Sequence, residues 1–476
     1  MDPHEFRALG HELIDWIADY REHLAHLPVM SRVKPGEIRA MLPPKPPQEG
    51  EELSAIVADL DRIVLPGITH WAHPGWFAYF PSNSDLSSVL ADLITAGLGA
   101  QGMSWQTSPA ATEVEEVVMD WLRQMVGLPG AFAGVIQDSA STSTLTALLC
   151  ARERTSDFGQ NRGGLQEEES SLVVYASDQA HSSIPKGALL AGFGRDNLRL
   201  LETDDSHALR VDLLEQAVLE DEAAGRRPCA VVAAVGTTAT TALDPVARIA
   251  DVAQEHCLWL HVDAAMAGSA MICPEYRWMW EGVERADSVV FNPHKWLGTG
   301  FDLSAYYIRD PQHLIRVMST NPSYLRTAQD DVVNNLRDWG IPLGRRFRAL
   351  KLWFLVRDQG VEGLQARLRR DIGYTEWLVK QVEAAPGWEL LAPAPLQTVC
   401  MRHVPAHLAG DEDALALHNL SIVDRINRGG RYFLGSAVLK GVQIVRVSIG
   451  GQTTQPEQVQ GLWQALQEAG SSTTAF

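Results

Sequence analysis

The chain has 476 residues, of which 46% are hydrophobic and 21% charged, and its formal net charge is −19. This is the composition of an ordinary soluble globular protein, and the acidic balance argues against nucleic acid or an anionic membrane surface as a partner. No apolar run reaches the ~18 residues of a membrane span. Met1-Asp2-Pro3-His4-Glu5 has neither the basic nor the apolar region of a secretion signal. The five cysteines form no CxxC pair, and four lie in apolar stretches, which points to reduced thiols and the cytosol. Length alone suggests about three folding units.

Asp2-Pro3-His4-Glu5 predicts a helix start, with Asp as N-cap, Pro in the first turn and Glu three residues after the cap. Phe6, Leu9, Leu13, Trp16, Tyr20 and Leu24 then fall on one helical face. The link with Pro28, Pro35, Pro43, Pro44, Pro46 and Pro47 reads as too extended for a helix. Leu53, Ile56, Val57, Leu60 and Ile63 predict a second amphipathic helix that stops at Pro66-Gly67. Two single apolar stripes make no core alone, so this segment (1–84) is expected to pack on another domain or a second subunit.

From 85 to about 310 helical stretches (85–97, 111–126, 142–154, 211–224, 245–256) alternate with short apolar runs (172–177, 229–235, 258–263, 288–292, 304–308). Such alternation predicts an α/β domain, 85–360, on a mostly parallel sheet. Residues 156–170 read as a surface loop, and 318–338 as a long polar loop of the kind that is often functional. Helices are expected at 344–359 and 361–384, the first carrying Arg345, Arg346, Arg348 and Lys351. Strands at 396–402 and 442–448 with a helix at 455–468 make a smaller α+β unit, 361–476, ending in a frayed tail.

Five weak signals sit at the expected carboxyl ends of strands or at a helix start. Asp138-Ser139-Ala140-Ser141 opens a helix and offers backbone N–H groups to a phosphate, although from these residues alone simple N-capping is the better explanation. His181 follows the run 172–177, where a flat imidazole can stack on a flat ligand, and Gly236-Thr237-Thr238 follows 229–235. Asp263 ends 258–263. His261 and Asp263 lack a third ligand at zinc-like spacing, so no metal is expected. Lys295 follows 288–292 within Asn292-Pro293-His294-Lys295-Trp296. A lysine for a covalent link and a carboxylate for a pyridinium nitrogen are what pyridoxal phosphate enzymes require. Gly97-Leu98-Gly99-Ala100-Gln101-Gly102 fits GxGxxG but follows a helix, so it is set aside as a dinucleotide site.

These motifs resemble those of the group II pyridoxal phosphate decarboxylases, specifically the aromatic-L-amino-acid decarboxylases, from Phe6 to about Leu466. The resemblance is carried by His73-Pro74 with Tyr79-Phe80-Pro81-Ser82, by Ser104-Trp105 with Ser108-Pro109, and by Asp178 to Ser183. His261 to Ala265, Asn292 to Trp296 and Ile341 to Arg346 complete it. It implies an aspartate-aminotransferase-like fold (fold type I) with a helical N-terminal segment lying over the partner of a homodimer. It also implies that Lys295 carries pyridoxal 5'-phosphate, that Asp263 meets its ring nitrogen and that His181 stacks on the ring. Ala140, Ser141 and Asn292 would hold the phosphate, with Thr238 and His294 as further cofactor neighbours. Trp71, Tyr79, Phe80, Pro81 and Ser82 would line the side-chain pocket, joined across the dimer by Gln101 and Met103. Asp138, Met266, Ser82 and Met103 depart from residues frequent in the family, which bears on substrate choice rather than on the reaction.

The implied reaction is decarboxylation of an aromatic L-amino acid, with Tyr324 on the polar loop as proton donor to Cα. A rival of the same family is an aldehyde synthase that consumes oxygen and releases ammonia; there the loop tyrosine is typically Phe, so Tyr324 favours the amine. A cofactor-binding protein without turnover is a further alternative, which the intact Tyr324 loop and the aromatic pocket count against.

Overall fold

The computed structural model describes residues 1–320, 322–325 (the backbone only at Tyr324), 328–330 and 332–471. The chain forms two compact units: Ser82–Val379 with Leu390–Cys400, and Met1–Pro81 with Lys380–Glu389 and the segment from Met401 onward.

In the second of these, α1 (Pro3–His23) starts as the sequence predicts. Asp2 accepts from the N–H groups of His4 and Glu5, while Glu5 accepts from Asp2 N–H at 2.8 Å, a complete capping box. None of α1 is buried within the chain, and Phe6 stays 61% exposed. The proline-rich link is not wholly extended. Glu37–Met41 lies between Pro35 and Pro43 without a proline of its own, and it closes one short helix, α2. The next helix, α3 (Leu53–Asp59), keeps α pitch only to Asp59; Leu60–Val64 widens to a π turn and Leu65–Gly67 tightens to a 3-10 turn. The ring of Pro66 cannot fit against the carbonyl four residues back, so regular pitch ends early. Strand β1 (Trp76–Phe77) follows.

The larger unit carries α4 (Leu86–Leu98), α5 (Pro109–Val126), β2 (Ala133–Gln137), α6 (Ala140–Thr155), β3 (Leu172–Ser177), α7 (Ser183–Leu190) and β4 (Leu198–Leu201). It continues through α8 (Val211–Ala223), β5 (Arg227–Ala234), α9 (Val246–Glu255), β6 (Trp259–Asp263), β7 (Ser288–Phe291), β8 (Ser304–Ile308) and α10 (Pro311–Met318). Its seven strands run in the order β2-β8-β7-β6-β5-β3-β4. Only β8 is antiparallel to its neighbours. β3, β6, β7 and β8 are buried throughout, as expected of strands covered on both faces. The chain leaves β3 on one side to form β4 and returns on the other as β5, so a topological switch point lies at β3/β5, where open α/β sheets collect ligands.

The predicted helix at 344–359 begins only at Ala349. Arg345, Arg346 and Arg348 precede it, and α11 (Ala349–Ala384) is broken at Gly360, whose φ is 65°. Each of these cations meets a carboxylate: Arg345 with Glu115 at 2.7 Å, Arg346 and the buried Lys351 with Asp92 at 3.3 Å, and Arg348 with Asp302 at 2.9 Å.

The remaining elements are β9 (Trp388–Leu390), β10 (Thr398–His403), α12 (Glu412–Gly429), β11 (Phe433–Leu439), β12 (Val442–Ser448) and α13 (Pro456–Ser471). The second sheet has the order β1-β11-β12-β10-β9. Cys150, Cys229, Cys273 and Cys400 are buried and free, and Cys257 is exposed and free. No helix among the described residues is long and apolar enough to cross a membrane.

Candidate active site

Parallel strands bring their carboxyl ends to one edge of a sheet, so Asp263, Asn292 and the segments after β3 and β5 share an edge of the larger unit. Asp263 is the last residue of β6 and is buried; its Oδ1 accepts from Ala265 N–H at 3.0 Å. His261 lies two residues earlier, on the same face of the strand. Its Nδ1 meets Ser288 Oγ at 2.9 Å, and burial pushes the imidazole down to about 4. No group of metal-ligating side chains occurs among the described residues, and His261 serves the core.

The lysine turn is built to be rigid. Pro293–Leu297 forms one π turn closed by Gly298 N–H to Pro293 O at 2.9 Å, and Gly298 has a φ of 105° that a side chain would resist. Lys295 N–H donates to Asn292 O at 2.9 Å, and Asn83 Nδ2 donates to Lys295 O at 3.0 Å. Trp296 Nε1 donates to Asp371 at 2.9 Å, and Arg367 donates to Leu297 O. His294, flanking the lysine, accepts from Leu303 N–H at 3.1 Å through Nδ1, which also lies 2.7 Å from Leu303 O, and packs its ring edge on Phe301, 4.9 Å away. The backbone on both sides of Lys295 is thus tied down while its half-buried side chain projects from the turn.

His181 sits between β3 and α7. Its Nδ1 accepts from Ser183 N–H at 3.1 Å and meets Ser183 Oγ at 2.8 Å, which leaves the neutral ring's proton on Nε2. The ring feels both partners of the site. Partial removal from water lowers its pKa, Asp263 opposes that shift, and the positive charge of Lys295 adds to it. His181 thus lies within electrostatic reach of both Asp263 and Lys295.

A phosphate-sized cradle lies at the start of α6. Ser139 caps the helix by accepting from Thr142 N–H at 3.3 Å, so Ala140 and Ser141 occupy its first turn, where backbone N–H groups face outward. Asp138 takes a hydrogen bond from Ser139 Oγ at 3.4 Å and lines a small cavity, about 80 Å³, that also holds Arg345 and Arg348. Its charge thus has cationic company. Asn292 is buried, and its Oδ1 has no hydrogen-bond partner among the described residues. Thr238 lies exposed beyond Gly236, whose φ is 88° and where a Cβ would come within 2.8 Å of Ala267.

The other predicted residues fall elsewhere. Met103 is half-buried and its carbonyl accepts from Arg337 N–H at 2.9 Å, while Gln101 Oε1 accepts from Arg345 N–H at 2.6 Å. Trp71, Tyr79, Phe80 and Pro81 belong to the smaller unit, and Ser82 to the larger. Trp71 stacks on Trp76 at 4.2 Å and on Tyr79 at 5.7 Å, and Tyr79 has a φ of 48°. Arg446 lies over the Phe80 ring at 4.8 Å. Tyr324 lies in the turn Ser323–Leu325, but its side chain, like Asn321, lies outside the described residues. Sequence reading missed Asn83 and Phe301, and it did not foresee that Lys351 is buried. Nothing local marks Asn83, whose partner Lys295 lies 212 residues away.

Buried neutral imidazoles carry a pH signature. His261 binds a proton in the unfolded chain near its ordinary 6.5 but resists doing so in the folded one until about 4. Folding stability is therefore lost as pH falls through this window, by about 2 kcal/mol between pH 6.5 and 5 for this one group. Urea unfolding should show a smaller acid loss in His261→Asn than in the parent; an equal loss in both would contradict this.

A lysine on a rigid turn, a buried carboxylate, an imidazole and a helix N-terminus, following β7, β6, β3 and β2 of a mostly parallel sheet, are the arrangement of a fold type I pyridoxal phosphate enzyme. The chain belongs to the pyridoxal-dependent decarboxylase family, whose conserved domain matches residues 35–404. It is 41% identical to phenylacetaldehyde synthase of Arabidopsis thaliana, covering 99% of this chain and 97% of that one. To tyrosine decarboxylase 2 of Narcissus pseudonarcissus it is 39% identical, over 98% of this chain and 94% of that one. The crystal structure of Oryza sativa TDC with PLP and tryptamine superposes with a TM-score of 0.96 at 35% identity, covering 99% and 98% of the two chains. Pyridoxal 5'-phosphate is thus the cofactor. The residues present fit it: the backbone N–H groups in the first turn of α6 suit its phosphate, and the buried carboxylate of Asp263 suits its ring nitrogen.

Proposed function

We propose that this chain decarboxylates aromatic L-amino acids to the corresponding amine and carbon dioxide. The observation that carries the reading is the placement of Asp263 at the end of β6 and of the lysine turn after β7, with His181 after β3 feeling both charges. When bound, pyridoxal phosphate supplies an electron sink for the pair left behind by a departing carboxylate. In this reading Lys295 would hold the cofactor covalently. Asp263 keeps a proton on the ring nitrogen, and its burial keeps that charge pair away from water. His181 stacks on the ring, with Ser183 fixing the imidazole's orientation. Ala140, Ser141 and Asn292 hold the phosphate, and Thr238 and His294 flank the cofactor. Tyr324 delivers a proton to Cα of the product.

The aromatic class is supported by relatives named for tyrosine and phenylacetaldehyde and by the stacked rings of Trp71, Trp76 and Tyr79. In this reading Trp71, Tyr79, Phe80, Pro81 and Ser82 line the pocket, with Met103 from the partner of a homodimer. The exposed apolar line Leu86, Leu90, Leu93 and Leu98 on α4, with Phe6 on α1, supports such a partner. The carboxylate pairing of Arg345, Arg346 and Arg348 counts against an acidic substrate. Free cysteines and the net charge of −19 support a cytoplasmic protein.

Aldehyde synthesis is the second reading, favoured by the 41% identity to phenylacetaldehyde synthase and opposed by Tyr324. The test is incubation of purified protein with L-DOPA, tyrosine, 5-hydroxytryptophan, tryptophan, phenylalanine and glutamate, with products read by mass. Amine from one or more aromatic substrates and none from glutamate is expected. Aldehyde with hydrogen peroxide would establish the second reading, and no product from any substrate would overturn both.

A further inference from the structure

The segment 101–105, which carries Met103, is stitched to the chain that leaves the polar loop. Gly102 N–H donates to Arg345 O at 2.8 Å, Arg345 N–H to Gln101 Oε1 at 2.6 Å and Arg337 N–H to Met103 O at 2.9 Å. Arg337 also reaches into the loop, where its Nη2 donates to Leu325 O at 3.0 Å, one residue past Tyr324. One more side chain completes the seam. Asn335 Oδ1 accepts from Trp105 N–H at 3.2 Å, and Asn335 Nδ2 donates to Asp330 Oδ1 at 3.0 Å. Asn335 thus holds the Met103 segment with one end of its carboxamide and the Tyr324 loop with the other.

Local helix capping does not account for this residue. Asn335 stands just before the 3-10 turn Leu336–Trp339, where asparagine usually satisfies the first N–H groups, yet its side chain caps none of them among the described residues. The carboxamide is buried and goes instead to partners 230 and 5 residues away. A backbone N–H can only donate and an ionised carboxylate can only accept, so a single orientation of the amide satisfies both. Aspartate at this position would serve only Trp105, and leucine would serve neither.

From this geometry we infer that Asn335 is a positioning residue for the reaction, holding the loop that bears Tyr324 in register with the segment that bears Met103. The inference rests on the reading of Tyr324 as proton donor and of Met103 as pocket wall. A proton donor must stay within hydrogen-bond reach of the atom it serves, and a displacement of about 1 Å is enough to lose most of the rate. The substrate ring and the proton bound for Cα are then addressed by two parts of the chain that share one amide as their spacer.

Exchanging donor and acceptor tests this in the holoenzyme, at about pH 8, where carboxylates are ionised. Asn335→Asp keeps an acceptor for Trp105 N–H but sets two carboxylates against each other, so the loop contact is lost and the segment contact kept. With the best aromatic substrate of the panel above, kcat for amine should fall about tenfold, the scale of one hydrogen bond to a charged group. KM should stay within about twofold, because the pocket wall is still held. The aldehyde fraction should rise, and hydrogen exchange should quicken over 323–330 but not over 101–105. Adding Asp330→Asn to Asn335→Asp returns a donor to the loop side and should restore kcat, product ratio and exchange. Asn335→Leu should quicken exchange in both segments and raise KM as well. Tyr324→Phe is run beside them. Amine at the parental rate from that variant would end the proton-donor reading alone, and kcat and exchange in the swapped pair would still decide the role of Asn335. Parental kcat and exchange in Asn335→Asp would overturn the proposal. So would a double variant no better than the single one, or kcat and KM worsening together with thermal stability in Asn335→Asp, as a purely structural residue would cause.

Discussion

Asp263→Asn is expected to lower turnover about a thousandfold, the scale lost when one preorganised electrostatic partner is removed from a site. Asn has nearly the shape of Asp and can still accept from Ala265 N–H, so β6 should keep its register between β5 and β7. What changes is charge. A neutral amide no longer favours a protonated ring nitrogen, so the electron sink weakens in the step that releases carbon dioxide. His181 provides an independent readout. Asp263 is the group that raises the His181 pKa against partial removal from water and Lys295, so in the variant the imidazole should titrate lower than in the parent. Steady-state kinetics together with histidine NMR would check this. A variant retaining a tenth or more of parental turnover would remove Asp263 from the role assigned to it.

Tyr324→Phe should redirect the products. Loss of a positioned general acid costs about a hundredfold in proton delivery, so amine formation should fall by about that factor. With no proton delivered at Cα, oxygen can compete there, and aldehyde, ammonia and hydrogen peroxide should become the main products. If the variant makes amine only, at the parental rate, the proton comes from another group.

The central strands were legible because burial on both faces writes itself as a continuous apolar run; β3, β6, β7 and β8 each match such a run to within a residue or two. The capping box of α1 was legible because its partners are three residues apart. β2 and β4 escaped. Ala133-Gly134-Val135-Ile136-Gln137 and Leu198-Arg199-Leu200-Leu201 are short edge strands of mixed polarity, specified by the strand beside them rather than by their own pattern. In the smaller unit α12 and β11 were missed as well, β11 because its burial is broken along its length.

The candidate site divides in the same way. Lys295, Asp263 and His181 stand at ends of strands that could be found, so their convergence followed from topology. The supports of that convergence did not. Asn83 holds the Lys295 carbonyl from 212 residues away. Lys351 looks like a surface cation in sequence yet is buried against Asp92. A hydrogen bond or ion pair across such separations has no local period to betray it. The arginines at 345–348 show the converse: read as one helical face, they instead precede the helix, and each goes to a different carboxylate.

The most direct test of the whole account is chemical. Reduction of the holoenzyme with borohydride, which fixes a cofactor linked to an amine, should leave the pyridoxyl phosphate mass on one tryptic peptide, at Lys295. The visible absorbance of the protein should disappear as it forms. A label on any other lysine, or a cofactor that dialyses away unreduced, would contradict the assignment of Lys295 and with it the mechanism built on this turn.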